Sequence, residues 1–316
     1  MFGRSSVTAQ MPGSALQPIR ERILVLAREA SFETSARDSA ALEAAASLLP
    51  AGGRVSITWL PRDEDGDRVA AARALRERGL EPVPHIAARM ISNEAHLRRL
   101  IGRLCDEAGV SQILVISGDT KDPRGPFDTS SALIASPSFA HPALRQVAVG
   151  GYPEGHPLVG EAELIAALDA KIATITALGL VPEIVTQLCF DAAPILAWSR
   201  HFRSRHPRVP MRIGLAGPAS IRTLLRFARI CGVGASARAI VSRGPSIARL
   251  LTEAAPDPIL RDLVGVPDFG DFPPIGVHFF PFSGFERTAR WVGAVADGHI
   301  RLHQSDSGFQ VDMTAA

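Results

Sequence analysis

The chain has 316 residues, of which 46% are hydrophobic and 21% charged, and this composition is typical of a globular protein with a sizeable core. The net charge of +2 gives no indication of binding to nucleic acid or to a membrane surface. Cys105, Cys189 and Cys231 are far apart, so we expect neither a disulfide framework nor a metal site, and a cytoplasmic location fits. No apolar run reaches about 18 residues, so we expect no membrane-spanning segment.

The predicted elements alternate between strand and helix along most of the chain. Residues 1–18 have no apolar core typical of a signal peptide, and we interpret them as a flexible leader. Apolar residues at helical spacing over 19–28 predict a helix that caps one end of the fold. Strands are predicted at 30–33, 54–60, 81–88, 112–118, 147–149, 183–190, 211–217 and 276–283. Helices are predicted at 38–49, 67–78, 93–108, 130–135, 162–178, 192–206, 220–231 and 285–296, with extra helices in 235–266 and a flexible tail over 304–316.

This alternation predicts the α/β class with a parallel sheet. Eight strand-helix units over about 260 residues favour one closed (β/α)8 barrel, residues 19–303, over an open doubly wound sheet. No strand is followed by G-x-G-x-x-G or G-x-x-x-x-G-K-S/T, so the common nucleotide-binding signatures are missing.

Polar and aromatic residues stand at or near the predicted strand ends, where a barrel of this kind carries its active site. They are Glu33, Thr58, His85, Asp119, Tyr152, His156, Gln187 and His278. Each one alone is also explained as a solvated group, a cap or a satisfied core residue, but their convergence on one rim indicates a site. No Ser-His-Asp or Cys-His arrangement can be placed, and the histidines and carboxylates come from separate strands, which disfavours a metal centre. Such a set suits a bound organic cofactor better.

Short motifs at these strand ends also resemble a known family. They are SFE ending at Glu33, VSITW from Val55, VPH ending at His85, SGD ending at Asp119, GYPEGHP from Gly151, TQLCFD from Thr186 and RFA from Arg226. In this order and spacing, over about residues 30–291, the chain resembles the methylenetetrahydrofolate reductase family. The resemblance implies an FAD-containing barrel that reduces 5,10-methylenetetrahydrofolate to 5-methyltetrahydrofolate with NAD(P)H, in one-carbon and methionine metabolism.

The resemblance also implies roles for individual residues. Glu33 would be the general acid that protonates a ring nitrogen of the folate, with its pKa raised by burial under the bound pterin. Asp119 would be the carboxylate beside the flavin that tunes it and contacts the folate. The implied cofactor-binding residues are Thr58, His85, Ser117, Gly118, Asp119, Ser130, Tyr152, His156 and Lys171. The implied substrate-binding residues are Gln187, Thr223, Phe227 and Asp119. We expect a homo-oligomer and no metal ion.

The chain departs from the family pattern at several positions. Ser117, Ala170 and Gly284 stand where the family often has arginine, and Thr34-Ser35-Ala36 replaces an aromatic residue followed by two prolines. Two missing cations near the flavin phosphates predict weak FAD binding, because each charge-assisted contact contributes about 1.5–3 kcal/mol. Two further functions therefore stay open: a flavin-free reductase that takes hydride directly from NAD(P)H or another carrier, and a non-catalytic folate-binding barrel.

Overall fold

The computed structural model describes residues 13–230, 253–271, 275–304 and 307–314, and the structural statements below concern these residues. Its strands are β1 (Ser31–Ser35), β2 (Arg54–Thr58), β3 (Glu81–Ala87), β4 (Gln112–Ile116), β5 (Gln146–Gly151), β6 (Val181–Cys189), β7 (Met211–Ala216), β8 (Ala219–Ser220), β9 (Glu253–Ala254), β10 (Ile275–Phe280), β11 (Ile300–Leu302) and β12 (Phe309–Val311). Strands β1 to β7 and β10 form a closed barrel in the order β1-β10-β7-β6-β5-β4-β3-β2, and each pair is parallel. The predicted (β/α)8 barrel is confirmed.

Helices surround the barrel and connect its strands. They are α1 (Gly13–Arg28), α2 (Ser39–Leu48), α3 (Asp65–Glu77), α4 (Glu94–Ala108), α5 (Ser130–Ile134), α6 (Glu161–Ala177), α7 (Ala192–Arg205), α8 (Ile221–Ile230), α9 (Asp257–Gly265) and α10 (Phe285–Ala296). Helix α4 illustrates how the sequence determines where a helix begins and ends. The side chain of Asn93 accepts a hydrogen bond from the His96 amide at its start, and Gly109 ends it with φ of 61°. Its buried residues recur every three or four positions, so one apolar face packs on the barrel.

Alternation along the barrel strands separates an outer apolar shell from the lumen. On β1, Phe32 is buried outside the strands, where its ring lies 5.8 Å from Phe279 and 5.6 Å from Phe285. Its neighbours Ser31 and Glu33 are placed on the opposite face of β1, toward the lumen. The outer shell contains most of the apolar core, and the polar side chains of interest lie in the lumen.

The lower lumen, at the amino-terminal ends of the strands, holds a buried ionic cluster. Both oxygens of Glu183 accept hydrogen bonds from Arg54, at 2.8 and 2.6 Å, and Arg212 donates a further one at 3.1 Å. Arg212 also donates to the carbonyl of Glu29, just after α1. Burial raises the pKa of Glu183, but the two arginines outweigh it and hold this pKa below its usual value. The carboxylate of Glu183 is therefore paired with the guanidinium groups of Arg54 and Arg212.

A thin apolar layer lies above this cluster and separates it from the upper lumen. Val83, Leu114, Ala148 and Val185 form this layer, with Ile116 packed against it. Side chains that fill the lumen in layers are normal for a barrel of eight strands. The layer leaves only the carboxyl ends of the strands open to a ligand.

The ends of the chain differ from the expected boundaries. Helix α1 begins at Gly13, inside the stretch interpreted as a leader, and packs against α9 and α10, while residues 1–12 lie outside the described residues. Strand β12 lies within residues 304–316, which were expected to be a flexible tail, and it pairs with β11. Phe309 is buried there against Trp291, with ring centroids 6.0 Å apart. The extra helices expected in 235–266 are described only from residue 253 onward, where α9 lies.

Candidate active site

A carboxyl group and two imidazoles meet in the upper lumen. Glu33 of β1 lies 3.5 Å from Nε2 of His85 on β3 and 3.8 Å from Nε2 of His278 on β10. The Glu33 side chain is 20% exposed, whereas those of His85 and His278 are 6% and 1% exposed. Barrel closure explains the meeting, because β10 pairs with β1 and returns the last strand beside the first. Glu33, His85 and His278 are thus brought together.

The imidazoles control the protonation of the carboxyl group. Burial raises the pKa of Glu33, but the His278 and His85 rings lower it, and the resulting pKa lies below its ordinary value. Burial also lowers the pKa of His85 to about 4, which keeps this ring neutral at pH 7. The raised pKa predicted for Glu33 applies to the carboxyl group covered by a bound pterin, and it stays a prediction; without a ligand the imidazoles hold the pKa below its ordinary value.

Three ring nitrogens around Glu33 lack hydrogen-bond partners within the part of the chain that the structure describes. They are both nitrogens of His85 and Nε2 of His278. Buried polar groups are normally paired, and unpaired ones are common where a ligand completes the pairing. The upper lumen therefore has the polar capacity of a binding site.

A buried arginine holds the ends of β2 and β3 in place. Arg68 of α3 is fully buried, donates to the carbonyls of His85 and Thr58, and lies 4.0 Å from the centre of the Trp59 ring. Burial lowers the pKa of Arg68 to about 10. Sequence reasoning missed this residue, although an arginine on the apolar face of α3, beside the buried Val69, was a detectable signal.

The loop after β4 carries three of the predicted residues, which are Ser117, Gly118 and Asp119. Gly118 has φ of +93°, and a Cβ there would lie 3.3 Å from Ala87, so the position requires glycine. The Ser117 hydroxyl oxygen accepts a hydrogen bond from the amide of Ser130 at 3.1 Å, which ties the loop to α5. The side chain of Asp119 is exposed on the rim of the barrel. Its negative charge reaches Tyr152, whose pKa is raised by burial and further by Asp119.

A groove of about 520 Å³ lies between α6, α7 and the loop after β5. Its lining includes Tyr152, Lys171 and the stacked rings of Trp198 and Phe202, whose centroids are 5.1 Å apart. Lys171 is only 9% exposed and has no hydrogen-bond or ion-pair partner among the described residues. Burial lowers its pKa. His156 packs edge-on against Tyr152 at 5.4 Å, so three predicted cofactor residues lie in or beside this groove.

The predicted substrate residues lie on a second part of the rim. Strand β6 is irregular between Val185 and Leu188, and the side-chain oxygen of Gln187 is buried there without a partner among the described residues. Bulges of this kind often lie next to active sites. Thr223 differs, because its hydroxyl pairs locally with Ser220 at the start of α8, 3.0 Å away.

An aromatic pair closes this part of the rim. Phe227 of α8 stacks on Phe282 with ring centroids 3.9 Å apart. Phe282 has φ of 48° and Ser283 has φ of 69°, a left-handed conformation that costs non-glycine residues energy and occurs at functional sites. Phe280 lies between this pair and His278, 6.3 Å from Phe282 and 5.0 Å from the imidazole, so the two parts of the rim are connected. Sequence reasoning missed Phe282.

Comparison with known proteins assigns this barrel to a family. Residues 39–243 match the family model described as methylenetetrahydrofolate reductase. The chain belongs to the methylenetetrahydrofolate reductase family. It is therefore a folate-related reductase by family, and its barrel carries the family's motifs at the carboxyl ends of the strands. Glu33 and His278 lie outside the matched residues, so their place in the site is given by the geometry.

Similarity to solved structures is weak and carries no argument about function. A GH18 chitinase from Pseudoalteromonas aurantia has 10% identity and a TM-score of 0.41, covering 85% of this chain and 98% of that one. D-psicose 3-epimerase in the presence of D-fructose has 13% identity and a TM-score of 0.37, covering 76% and 98%. A xylose isomerase domain protein from Planctomyces limnophilus has 11% identity and a TM-score of 0.32, covering 81% and 92%.

Two other kinds of site are missing from the described ranges. No helix there is long and apolar enough to cross a membrane. No group of three or more His, Cys, Asp or Glu side chains there is arranged to hold a metal ion.

Proposed function

We propose that the chain reduces 5,10-methylenetetrahydrofolate to 5-methyltetrahydrofolate, with FAD as cofactor and NAD(P)H as electron donor. The observation that carries this proposal is Glu33, a half-buried carboxyl group at the open end of the barrel of a folate reductase family member. Reduction of this folate requires a proton on a weakly basic ring nitrogen as well as a hydride, and a carboxylic acid can supply the proton.

Glu33 is placed to act on a ligand that enters from the rim. Its carboxyl group is the partly exposed member of the cluster, and the two imidazoles lie deeper. A pterin that covers it would remove water and remove the remaining solvation of the carboxylate, which raises the pKa of Glu33 and returns a proton to it. Gln187, with its unpaired buried oxygen, would hydrogen-bond the folate, and Phe227 would stack on it.

The groove beside β5 fits part of the cofactor. Lys171 is a buried cation without a partner in the described residues, and an anion such as a diphosphate would pair with it. Tyr152 lies in the same groove, and His85 and Asp119 lie at the rim. FAD, when bound, supplies hydride transfer to the folate. Ser117 and Ala170 offer no positive charge, so this chain holds the diphosphate with fewer cations than the family pattern provides, and we expect weak binding.

The absorption spectrum of the purified protein, followed by thermal unfolding with added FAD, tests the proposal. Added FAD should raise the Tm as RT ln(1 + [L]/Kd) requires. Lys171→Met should reduce this shift, whereas Lys121→Met, at the exposed second lysine of the chain, should leave it unchanged. Absence of both bound flavin and any FAD-dependent shift would reject the flavin and favour direct hydride transfer from NAD(P)H. Folate binding without any reduction would favour the non-catalytic barrel.

A further inference from the structure

The hydrogen bonds of Ser31 determine which nitrogen of His278 carries the proton. The Ser31 hydroxyl lies 3.3 Å from the carbonyl of Val277 and 2.9 Å from Nδ1 of His278. A carbonyl only accepts, so the single hydroxyl proton of Ser31 goes to Val277. The contact with His278 is then a hydrogen bond only if the imidazole donates from Nδ1. Both contacts are satisfied in this arrangement alone, and it leaves Nε2 of the neutral ring without a proton.

An unprotonated Nε2 in this position faces another acceptor. It is buried without a hydrogen-bond partner in the described ranges, and the carboxyl group of Glu33 lies 3.8 Å away. A carboxylate and a bare ring nitrogen at this distance repel each other, and a single proton on either one turns the repulsion into attraction. The geometry therefore calls for one proton shared by the two groups.

We propose that His278, oriented by Ser31, is a positioning residue that shares one proton with Glu33 and passes a replacement proton to Glu33 after Glu33 has protonated the folate. The role in folate reduction rests on the function proposed above, whereas the shared proton itself does not. In each turnover the O–H bond of Glu33 breaks as the folate nitrogen gains the shared proton. Nε2 of His278 then takes up a proton from the solvent, and this new N–H bond breaks as the Glu33 carboxylate is reprotonated.

Few other charged groups face this pair. From β3, His85 lies 3.5 Å from Glu33 and is kept neutral at pH 7 by its pKa of about 4. Arg68 of α3 acts electrostatically on His85, and from β7 the residue opposite His278 is Gly214, which carries no charge. Glu33 is thus coupled to both imidazoles, so its protonation belongs to this group of three side chains rather than to one residue.

NMR titration of the substrate-free protein, labelled with ¹⁵N-histidine and ¹³C-glutamate, tests the shared proton. The neutral His278 ring should be protonated at Nδ1, and the Glu33 carboxyl signal should move in two steps that the His278 ring signals share. In His278→Gln, the Glu33 signal should lose the change that it shares with the His278 ring. A neutral ring protonated at Nε2, or the same Glu33 titration in both proteins, would overturn the proposal. These outcomes do not depend on whether the protein reduces folate.

Kinetics of the two half-reactions test the role in the proposed reaction. His278→Gln should slow folate reduction about tenfold, a smaller loss than removal of a general acid itself, and the decline of the rate should begin at lower pH than in the wild type. Flavin reduction should be unchanged. Ser31→Ala should shift the pH profile in the same direction to a smaller extent. This variant tests the role of His278 if His278→Gln does not fold. His206→Gln is the matched control, because it removes a histidine paired with Asp169 at 2.6 Å, away from the lumen. An unchanged pH profile in both lumen variants would overturn the role of His278.

Discussion

Each end of the barrel lumen contains a carboxyl group beside basic side chains, but the two carboxyl groups differ in their hydrogen bonding. At the lower end, Glu183 receives three hydrogen bonds of 2.6 to 3.1 Å from Arg54 and Arg212. At the upper end, Glu33 has only contacts of 3.5 and 3.8 Å, to imidazoles whose facing nitrogens have no hydrogen-bond partner among the described residues. Both carboxyl groups have pKa values below the ordinary range, although burial acts against this in each case.

The difference separates a structural site from a candidate binding site. Both oxygens of Glu183 are hydrogen-bonded to arginines, so this carboxylate is complete without a ligand and contributes to the folded state. A cluster with unpaired nitrogens is incomplete until something binds, and it lies at the end of the barrel where such folds carry their active sites. Burial and charge alone do not distinguish the two carboxylates, whereas hydrogen-bond satisfaction does.

The largest effect on stability is expected at the lower end. Glu183→Gln leaves two arginines in the lumen without their counter-charge, and the free energy of unfolding should fall by about 3–5 kcal/mol. Denaturant unfolding measures this change. Glu286→Gln is the control, because its pair with Arg290 is exposed at the surface and should contribute far less. Equal losses in the two variants would contradict the structural role of the lower cluster.

His85 should give the upper end a pH-dependent contribution to stability. Burial lowers its pKa from 6.5 to about 4, so between these values the unfolded chain binds a proton that the folded chain does not. The free energy of unfolding should therefore fall as the pH drops from 6.5 to 4, by up to about 3 kcal/mol. His85→Gln should flatten this dependence, and His201→Gln, at an exposed ring, should not. A wild-type slope retained in His85→Gln would show that other groups cause it.

Asp119 should give the smallest effect on stability. Its side chain is exposed on the rim, so Asp119→Asn should change the free energy of unfolding by no more than about 0.5 kcal/mol. The same variant should slow reoxidation of the flavin by the folate, because a negative charge beside the flavin favours loss of hydride. Asp122→Asn, in the same exposed loop, is the matched control. Wild-type rates in Asp119→Asn would exclude Asp119 from the flavin site.

Local patterns predicted the barrel but not the contacts across it. Runs such as Val147-Ala148-Val149 indicate buried strands because their period and branching are local properties. The meeting of Glu33 with His278 depends on closure between strands that are more than two hundred residues apart, and no local pattern encodes it. Phe309 was assigned to a flexible tail for the same reason, because its partner Trp291 lies on another element.

Residue type also misled the prediction where burial reverses the usual behaviour. Arg68 reads as a solvated helix residue, yet it is buried beneath Trp59 and binds carbonyls at two strand ends. The pKa of Glu33 is predicted to rise under a bound pterin, whereas without a ligand two neighbouring imidazoles outweigh the effect of burial and hold it below its ordinary value. In both cases the protonation and contacts of the side chain depend on which groups lie within about 4 Å of it, where charge interactions are strongest. Only the folded structure shows which groups these are.

The most direct test of Glu33 as the acid of the proposed reaction is stopped-flow measurement of both half-reactions in Glu33→Gln. Hydride transfer from NAD(P)H to the flavin needs no proton from Glu33, so bleaching of the flavin should proceed near the wild-type rate. Reoxidation of the flavin by methylenetetrahydrofolate should slow by roughly 10²-fold or more, the usual effect of losing a general acid. Reoxidation at the wild-type rate would contradict the account and would assign the proton to another group.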